Sequence, residues 1–449
     1  MPSVALISEH ASPLARPGAV DNGGQNVYVA HVARHLANSG HRVDVFTRRD
    51  GPLPEVVQWH PRVRVIHVPA GPPHYLPKED MLPFMDAFAE YMLGFARRQR
   101  QHYDAVHANF FMSGKAALPL CRALSIPLVI TFHALGRVRR LHQREADRFP
   151  PSRFAIEEEL VRCADRIIAE CPADHADLVQ HYGADPRRID IVPCGFDASE
   201  FAPTDRAQAR AALGWDPATF SILQLGRMVP RKGVDNVIRA LALLRRTHGV
   251  AARLYVVGGE STDPARDRSP ELARLRHLAQ AEGLAHAVQF VGRRDRDQLA
   301  TFYGAADVFV STPWYEPFGI TPVEAMACAR PVVGSDVGGI RYSVLDGDTG
   351  FLVPPNDPAA LAQRLALLAA RPELGRRLGT AGLRRARGMF TWRLVARQLA
   401  RIYADCQRAS PAERPMAHAI RARLSAGASP PAVGVRGASP AAVPGLASP

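Results

Sequence analysis

The chain has 449 residues, of which 47% are hydrophobic and 22% are charged, and this length suits two or three packed domains. Its 56 basic and 43 acidic residues give a formal net charge of +13, which favours anionic partners such as nucleotides, sugar phosphates or acidic lipids. The sequence has no apolar run of about 18 residues and no nucleic-acid-binding signature. These features argue against a transmembrane segment and against a nucleic-acid partner.

The six cysteines are scattered and show no Cys-x-x-Cys spacing. This pattern is typical of reduced thiols rather than of a disulfide framework or a zinc site. The first residues read as a strand and lack the basic start and long apolar stretch of a secretory signal. We therefore expect a cytoplasmic protein.

The first half of the chain alternates short apolar runs with amphipathic stretches. Strands are predicted at residues 3–8, 42–47, 63–68, 105–108, 128–132, 166–170 and 189–192. Helical periodicity is clearest at residues 25–38 and 81–101. Strands that alternate with helices in this way predict a parallel sheet covered on both faces, over a first domain at residues 1–200.

The same pattern restarts in the second half and predicts a second domain at residues 201–390. Its strands are predicted at residues 221–226, 252–257, 288–291, 308–310, 331–334 and 350–353. Helices are predicted at residues 234–246 and 322–327, and a last helix at residues 391–408 is expected to cross back to the first domain. Residues 409–449 are rich in Ala, Pro, Ser and Gly, a composition that predicts disorder. The predicted fold class is α/β, with two Rossmann-like, doubly wound parallel-sheet domains that face each other across a cleft.

The first candidate site is the glycine pair Gly23 and Gly24, which lies after the first strand and opens a helix. Glycines let the backbone approach a ligand closely, and the free amides of a helix N-terminus favour an anion. A plain Gly-Gly turn is the alternative. The fingerprint Gly-x-Gly-x-x-Gly is absent, which argues against a dehydrogenase.

The second candidate site is the basic segment at residues 226–233, directly after the first strand of the second half. Arg227 and Lys232 lie near the carboxyl end of that strand, where open parallel sheets bind ligands. A guanidinium and an ammonium together suit a diphosphate. A solvated basic turn is the alternative, and Arg231 is the residue that we expect to be solvated.

The third candidate site is the segment at residues 316–324, Glu-Pro-Phe-Gly-Ile-Thr-Pro-Val-Glu. Its two carboxylates, Glu316 and Glu324, are separated by a loop and the start of a helix, so they can face one cleft. Carboxylates accept hydrogen bonds from pairs of sugar hydroxyls, and Thr321 with the helix amides suits a phosphate. Two ordinary surface charges are the alternative.

Together these segments resemble the retaining family-4 glycosyltransferases of GT-B fold, and the resemblance covers residues 1–405. It is strongest to the branch that contains sucrose-phosphate synthases, mannosylfructose-phosphate synthases and inositol-phosphate N-acetylglucosaminyltransferases. The resemblance implies a nucleotide-sugar donor, with UDP-glucose favoured over GDP-mannose, and transfer with retained anomeric configuration. It implies no cofactor and no catalytic metal, and the Asp-Arg-Asp run at residues 295–297 is interpreted as a helix cap.

The resemblance also implies roles for individual residues. It assigns catalytic roles to His133, Arg227, Lys232 and Glu316. It assigns donor binding to Gly23, Gly24, Arg294, Phe318, Gly319, Ile320, Thr321 and Glu324. It assigns acceptor binding to Asn26, Lys78, Arg137 and Arg153.

The three basic residues of the last group favour a sugar phosphate as acceptor. Phe110 and Ala134 replace hydroxylated residues of the inositol-phosphate branch, which argues against inositol phosphate itself. A lipid-linked or polysaccharide acceptor, with peripheral membrane contact through the basic surface, is an alternative. A nucleotide-sugar epimerase of the same fold and a non-catalytic nucleotide-sugar-binding protein are the others.

Overall fold

The computed structural model describes residues 1–15, 23–409 and 414–416, which form two α/β domains. The strands of the first domain are β1 Ser3–Ile7, β2 Arg42–Arg48, β3 Val56–His60, β4 Val63–Val68, β5 Ala105–Asn109, β6 Leu128–Thr131, β7 Arg166–Ala169 and β8 Ile189–Ile191. Its helices are α1 Gly24–Asn38, α2 Met85–Arg98, α3 Phe111–Leu124, α4 Gly136–Gln143, α5 Ser152–Cys163 and α6 Pro172–Tyr182.

The sheet of the first domain has the order β3-β4-β2-β1-β5-β6-β7-β8. Its neighbours run parallel except β3, which pairs antiparallel with β4. Strand β1 is buried along its whole length, as expected for a parallel sheet with helices on both faces. The seven parallel strands were all predicted, and β3 was not.

The second domain has a six-stranded, all-parallel sheet of order β11-β10-β9-β12-β13-β14. Its strands are β9 Phe220–Leu225, β10 Ala252–Val257, β11 Val288–Gly292, β12 Val308–Ser311, β13 Val332–Ser335 and β14 Gly350–Val353. Its helices are α7 Arg206–Leu213, α8 Val234–His248, α9 Pro270–Ala281, α10 Arg296–Ala305, α11 Ile320–Ala327, α12 Gly338–Ser343, α13 Pro358–Ala370 and α14 Pro372–Met389. The predicted fold class is therefore confirmed.

The last helix, α15 Trp392–Arg408, packs against α1 of the first domain. Its apolar side chains recur at helical spacing and are buried, and the hydroxyl of Tyr403 lies 2.7 Å from Nδ1 of His107 on β5. The chain thus crosses between the domains twice, and the two crossings touch. Phe196 donates its amide to the carbonyl of Phe390 at 2.7 Å, and Trp392 donates to the carbonyl of Phe196 at 3.2 Å.

Most of the segment predicted to be disordered lies outside the described residues, but Arg414–Met416 do not follow that prediction. Arg414 donates to the carbonyl of Ser125 at 2.6 Å, and Met416 is buried in the core of the first domain. An apolar side chain and a guanidinium therefore hold this short piece on the surface of the first domain. Among the described helices, none is both long and apolar enough to cross a membrane.

In both sheets the strand order reverses beside the first strand, which is where ligands bind in open α/β sheets. β1 lies between β2 and β5, and β9 lies between β10 and β12, so each sheet has its switch point beside its first strand. In open α/β sheets, ligands bind at the carboxyl ends of the strands at this point. The chain segments that follow β1, β5, β9 and β12 are therefore the ones that build the cleft.

Candidate active site

A cavity of about 350 Å³ lies between the domains, within the size range of small-molecule sites. Its walls come from the carboxyl ends of strands in both sheets and from the first turns of α1 and α11. Fourteen of the sixteen residues predicted for the site line it, together with three others discussed above: Gly23, Gly24, Asn26, Lys78, Phe110, His133, Ala134, Arg227, Arg231, Lys232, Arg294, Glu316, Phe318, Gly319, Ile320, Thr321 and Glu324. Arg137 and Arg153 are not among the lining residues.

The glycine pair at the start of α1 brings the two domains together. A Cβ atom on Gly23 would lie 3.6 Å from Nε of Arg227, and one on Gly24 would lie 3.5 Å from Cδ1 of Ile320. The N-terminus of α1 therefore faces both the loop after β9 and the N-terminus of α11. Two helix N-termini and a guanidinium around one point favour an anion with several negative charges.

Asn26 stabilises this corner through its side chain. Its Oδ1 accepts from the amide of Gly23 at 2.9 Å, and its Nδ2 donates to the carbonyl of Ser12 at 3.1 Å. These bonds form a capping arrangement at the first turn of α1 and fix the preceding loop. In the structure Asn26 lines the cavity and also holds the glycine pair in place.

A carboxylate and two cations form the centre of the cavity wall that the second domain contributes. Oε2 of Glu316 contacts Nζ of Lys232 and lies 3.2 Å from Nη1 of Arg231. Arg231 also donates to the carbonyl of Tyr315 at 3.0 Å. The expectation that Arg231 is solvated is therefore wrong. The short 3₁₀ turn at Pro230–Lys232 directs both neighbouring cations toward the loop that carries Glu316.

These contacts set the charge states of the pair. Burial raises the pKa of Glu316, but the charges of Lys232 and Arg231 outweigh burial and lower it to about 2. Burial, together with the charge of Arg231, lowers the pKa of Lys232 to about 8, although Glu316 opposes this shift. Glu316 is consequently an anion at neutral pH, and the charge of Lys232 is sensitive to mild alkali.

The loop that carries Glu316 rests on a pair of glycines at the start of α12. A Cβ on Gly338 would lie 2.0 Å from the carbonyl oxygen of Glu316, and one on Gly339 would lie 2.3 Å from Cα of Phe318. Gly338 has φ of +42°, a left-handed conformation that glycine adopts most readily. Phe318 is buried against Phe390, so the predicted donor contact at this position falls to its backbone.

Glu324 is held by two partners that the sequence did not indicate. Its Oε1 lies 2.9 Å from Nη2 of Arg296, and its Oε2 accepts from the hydroxyl of Tyr303 at 3.0 Å. Arg296 also contacts Glu200 in the linker between the domains, which is the segment between the end of β8 and the start of α7. The neighbouring Asp295 begins α10 as its N-cap, as predicted.

His133 lies at the end of β6 on the opposite wall, with φ of +58°. Its Nδ1 is 2.9 Å from Oε1 of Glu170, and its Nε2 is 3.1 Å from Oδ1 of Asn109. Phe110, at the end of β5, also has a positive φ of +88°. Strained backbone at non-glycine residues is concentrated at functional sites, and here it lies at two adjacent strand ends. Glu170 has no recognisable motif around it, so the sequence did not reveal it.

The acceptor side of the cleft differs from the prediction at two arginines. Arg153 is fully buried, bonded through Nε to Glu157 at 2.7 Å and stacked against Phe110, so it cannot reach a ligand. Arg137 lies on the exposed side of α4, where it contacts Glu158. Arg139 lines the cleft instead. It lies two positions after Arg137 on α4, and side chains two positions apart on a helix point to opposite faces.

Lys78 and Arg139 are therefore the cations on the acceptor side of the cavity wall. Arg139 is oriented by Asp147, whose Oδ1 lies 2.9 Å from its Nε. In the second domain, Arg294 lines the cavity while its Nη1 donates to the carbonyl of Thr262 at 2.8 Å. The cavity therefore has two helix N-termini and Arg227 at its centre and further cationic groups at both ends.

Two doubly wound domains that present helix N-termini, cations and paired carboxylates to a shared cleft are the arrangement of glycosyltransferases of GT-B fold. Residues 22–200 match the Glycosyltransferase Family 4 and residues 205–385 match the Glycosyl transferases group 1. The chain belongs to this family of glycosyltransferases.

Individual relatives agree with this assignment. The D-inositol 3-phosphate glycosyltransferase of Streptomyces bingchenggensis is 38% identical over 412 residues, which cover 90% of this chain and 90% of that protein. The structure of sucrose-phosphate synthase from Thermosynechococcus elongatus has a TM-score of 0.83 at 34% identity and covers 91% of this chain and 100% of its own. The Anabaena protein Alr3699/HepE, solved in complex with UDP-glucose, has a TM-score of 0.70 at 21% identity, with 90% and 99% coverage.

Proposed function

We propose that this protein transfers a hexosyl group from a nucleotide sugar to a hydroxyl of a sugar phosphate, with retention of the anomeric configuration. The observation that carries the proposal is the meeting of Gly23 and Arg227 across the cleft, beside the Glu316–Lys232 pair. This geometry suits a sugar diphosphate whose phosphates lie at the helix termini and whose sugar reaches Glu316.

The diphosphate requires charge stabilisation as it leaves. When the bond between the anomeric carbon and the phosphate oxygen breaks, negative charge grows on the phosphate and positive charge grows on the sugar ring. Arg227, Lys232 and the amides of α1 and α11 are arranged to stabilise the first charge. Both cation contacts of Glu316 involve Oε2, so Oε1 is the atom that we assign to a sugar hydroxyl.

In the proposed reaction the acceptor oxygen bonds to the anomeric carbon on the face that the diphosphate leaves. The acceptor proton goes to the departing phosphate oxygen, which balances the reaction without a protein base. His133 lies on the opposite wall, where Glu170 and Asn109 fix its ring. We assign it the position beside the donor sugar.

The proposed acceptor is a phosphate-bearing sugar, supported by Lys78 and Arg139 on the acceptor side of the cavity. The names of two relatives, an inositol 3-phosphate glycosyltransferase and a sucrose-phosphate synthase, also refer to phosphorylated sugars. Phe110 packs edge-on against His10 at 5.1 Å and makes this part of the cavity wall apolar. Because Phe110 stands where the inositol-phosphate branch has a hydroxylated residue, we propose to test a hexose phosphate as acceptor beside inositol phosphate.

The donor is tested by thermal melting with UDP, GDP, ADP, UDP-glucose, GDP-mannose and NAD, because a ligand of the native state raises the melting temperature. We expect a selective shift with UDP and UDP-glucose. UDP-glucose is the first donor to test because the family branch implies it and the same fold holds it in Alr3699/HepE. A shift with NAD alone, or with no nucleotide, would contradict the proposal.

The acceptor is tested by incubating the protein and the identified donor with fructose 6-phosphate, inositol 3-phosphate, undecaprenyl phosphate vesicles or no acceptor. We expect a phosphorylated glycoside from a soluble sugar phosphate, with its anomeric configuration read by proton NMR. Conversion of the donor without an acceptor would instead indicate an epimerase. A product formed only with vesicles would indicate a lipid-linked acceptor.

The acceptor phosphate site is tested by Lys78→Gln. Loss of one phosphate contact should raise the acceptor KM about 10-fold or more, as is usual for a charge-assisted hydrogen bond, and leave the donor KM unchanged. Arg137→Gln is the matched control, since that side chain faces away from the cleft. Equal effects of the two variants would contradict the assignment.

A further inference from the structure

Two histidines and an aspartate meet beside the crossings between the domains, outside the cleft. His31 and His35 are four residues apart on α1, so they share one face of the helix. Asp197 belongs to the linker that enters the second domain. One potential ligand atom from each residue lies within 4.8 Å of the other two, in the part of the chain that the structure describes.

The position of His31 is fixed by packing. Its ring is stacked on the indole of Trp392, with a centroid separation of 5.2 Å and an interplanar angle of 2°. The backbone of Trp392 is itself hydrogen-bonded to Phe196, the residue before Asp197. The imidazole is therefore held against both chain crossings and cannot turn away without disturbing them.

The buried Nδ1 of His31 has no hydrogen-bond partner among the described residues. His31 is only 4% exposed, and an unsatisfied buried polar atom is rare enough in proteins to need an explanation. Oδ2 of Asp197 lies 3.6 Å from this nitrogen, too far for a hydrogen bond. A buried ring nitrogen that lacks a hydrogen-bond partner and faces a carboxylate is the arrangement expected of an empty metal-binding site.

The carboxylate is oriented in a complementary way. Oδ1 of Asp197 accepts from the amide of Ser199 at 2.8 Å and from its hydroxyl at 2.6 Å. These bonds hold the carboxylate by one oxygen and direct Oδ2 toward His31. Ligand carboxylates in metal sites are usually fixed by such a second interaction.

We propose that His31, His35 and Asp197 bind a divalent transition-metal ion of the zinc type, with water completing the coordination. Two imidazoles and a carboxylate suit Zn²⁺, and three protein ligands with an open position are a common zinc arrangement. Zinc bonds of about 2.0–2.1 Å hold ligand atoms roughly 3.3 Å apart, so small side-chain rotations close the present gaps. The bound ion would connect α1 to the linker, and none of its three ligands lines the cavity between the domains.

The surrounding charges limit the affinity. Arg34 and Arg296 act electrostatically on His31, and Arg393 acts on His35, and all three oppose a second cation. Only Asp197 contributes a negative charge as a ligand. We therefore expect a Kd for zinc in the micromolar range, ~10⁻⁶ M. This affinity is weaker than that of a structural zinc site.

The test uses the full-length protein, freed of metal by a chelator and titrated with Zn²⁺ in a calorimeter. We expect one equivalent to bind to the natural protein. His35→Gln and Asp197→Asn should each weaken binding ~10-fold or more, because each removes a ligand. His41→Gln is the matched control, since His41 is also half-buried near the end of α1 but lies outside the cluster.

Titration with Co²⁺ identifies the ligands by absorption. Visible bands of tetrahedral or five-coordinate cobalt with nitrogen and oxygen ligands should appear in the natural protein and disappear in His35→Gln. His35 and Asp197 are both partly exposed, so these variants should fold, and melting curves without metal check this. The proposal is overturned by absence of zinc binding, by equal affinity of the three variants, or by a thiolate-to-cobalt band that places the ion on a cysteine.

Discussion

Replacing Lys232 with alanine removes the ammonium that contacts Glu316 at the centre of the cleft. A unit charge about 4 Å from a phosphate oxygen, at an effective dielectric constant of about 20, contributes ~4 kcal/mol. Since ~1.4 kcal/mol corresponds to tenfold in rate, the upper limit of the effect is about 10³-fold in kcat. Loss of one oxyanion donor in other enzymes costs about 10²–10³, so we expect Lys232→Ala to fall in this range.

The assay is the initial rate of glycosyl transfer at saturating donor and acceptor. Glu316 keeps the contact with Arg231 at 3.2 Å, so the carboxylate does not become an unpaired buried charge and the variant should fold. Lys115→Ala is the control, because Lys115 pairs with the exposed Asp86 on the surface. A loss of less than about threefold in kcat, in a protein with an unchanged melting curve, would refute the assigned role of Lys232.

Three further predictions concern pH, the donor loop and the C-terminal segment. Burial lowers the pKa of Lys232 to about 8, so its ammonium is present below that pH and is lost above it. The kcat/KM for the donor should therefore fall as the pH rises through about 8. Lys232→Arg should abolish this decline, and a decline that persists in the variant would assign it to another group. Gly339→Ala places a Cβ 2.3 Å from Cα of Phe318 and should lower kcat by up to ~10²-fold, because the loop is displaced. Gly388→Ala is the control, since its Cβ would meet open space, and it should leave kcat unchanged. Equal rates of the two variants would show that the loop tolerates the shift. Truncation after Met416 should preserve activity and melting temperature, whereas truncation after residue 409 should lower the melting temperature by ~2–4 °C because the buried Met416 is lost; identical melting curves would contradict this packing.

The parallel strands were predictable because burial on both faces leaves a clear record in the sequence. Strand β1 is a continuous apolar run after Ser3 and is wholly buried. Strand β3 gives no such signal, since Val56–His60 is an edge strand that is exposed or half-exposed throughout. With no buried face it shows neither a continuous apolar run nor a clean alternation, so only its antiparallel pairing with β4 identifies it.

The charged residues of the site were predictable only where a motif fixed their position. Glu316 and Lys232 lie in segments whose composition marks a ligand site, and the structure brings them into contact. Arg153 has a favourable place in the chain, but packing against Phe110 and Glu157 decides that it is buried. A basic residue looks the same in a sequence whether it faces a ligand, a carboxylate or an aromatic ring.

The partners of the motif residues explain why the donor site depends on more than the second domain. Arg296 joins Glu324 to Glu200, so a residue assigned to donor binding is connected by one side chain to the linker between the domains. Gly23, on the first domain, approaches Arg227 of the second domain and completes the proposed anion site. Because the site is assembled from both sides, a change in the angle between the domains alters the distance between the phosphate-binding groups. We therefore expect substitutions at groups that touch the linker, such as Arg296, to change turnover through the angle between the domains.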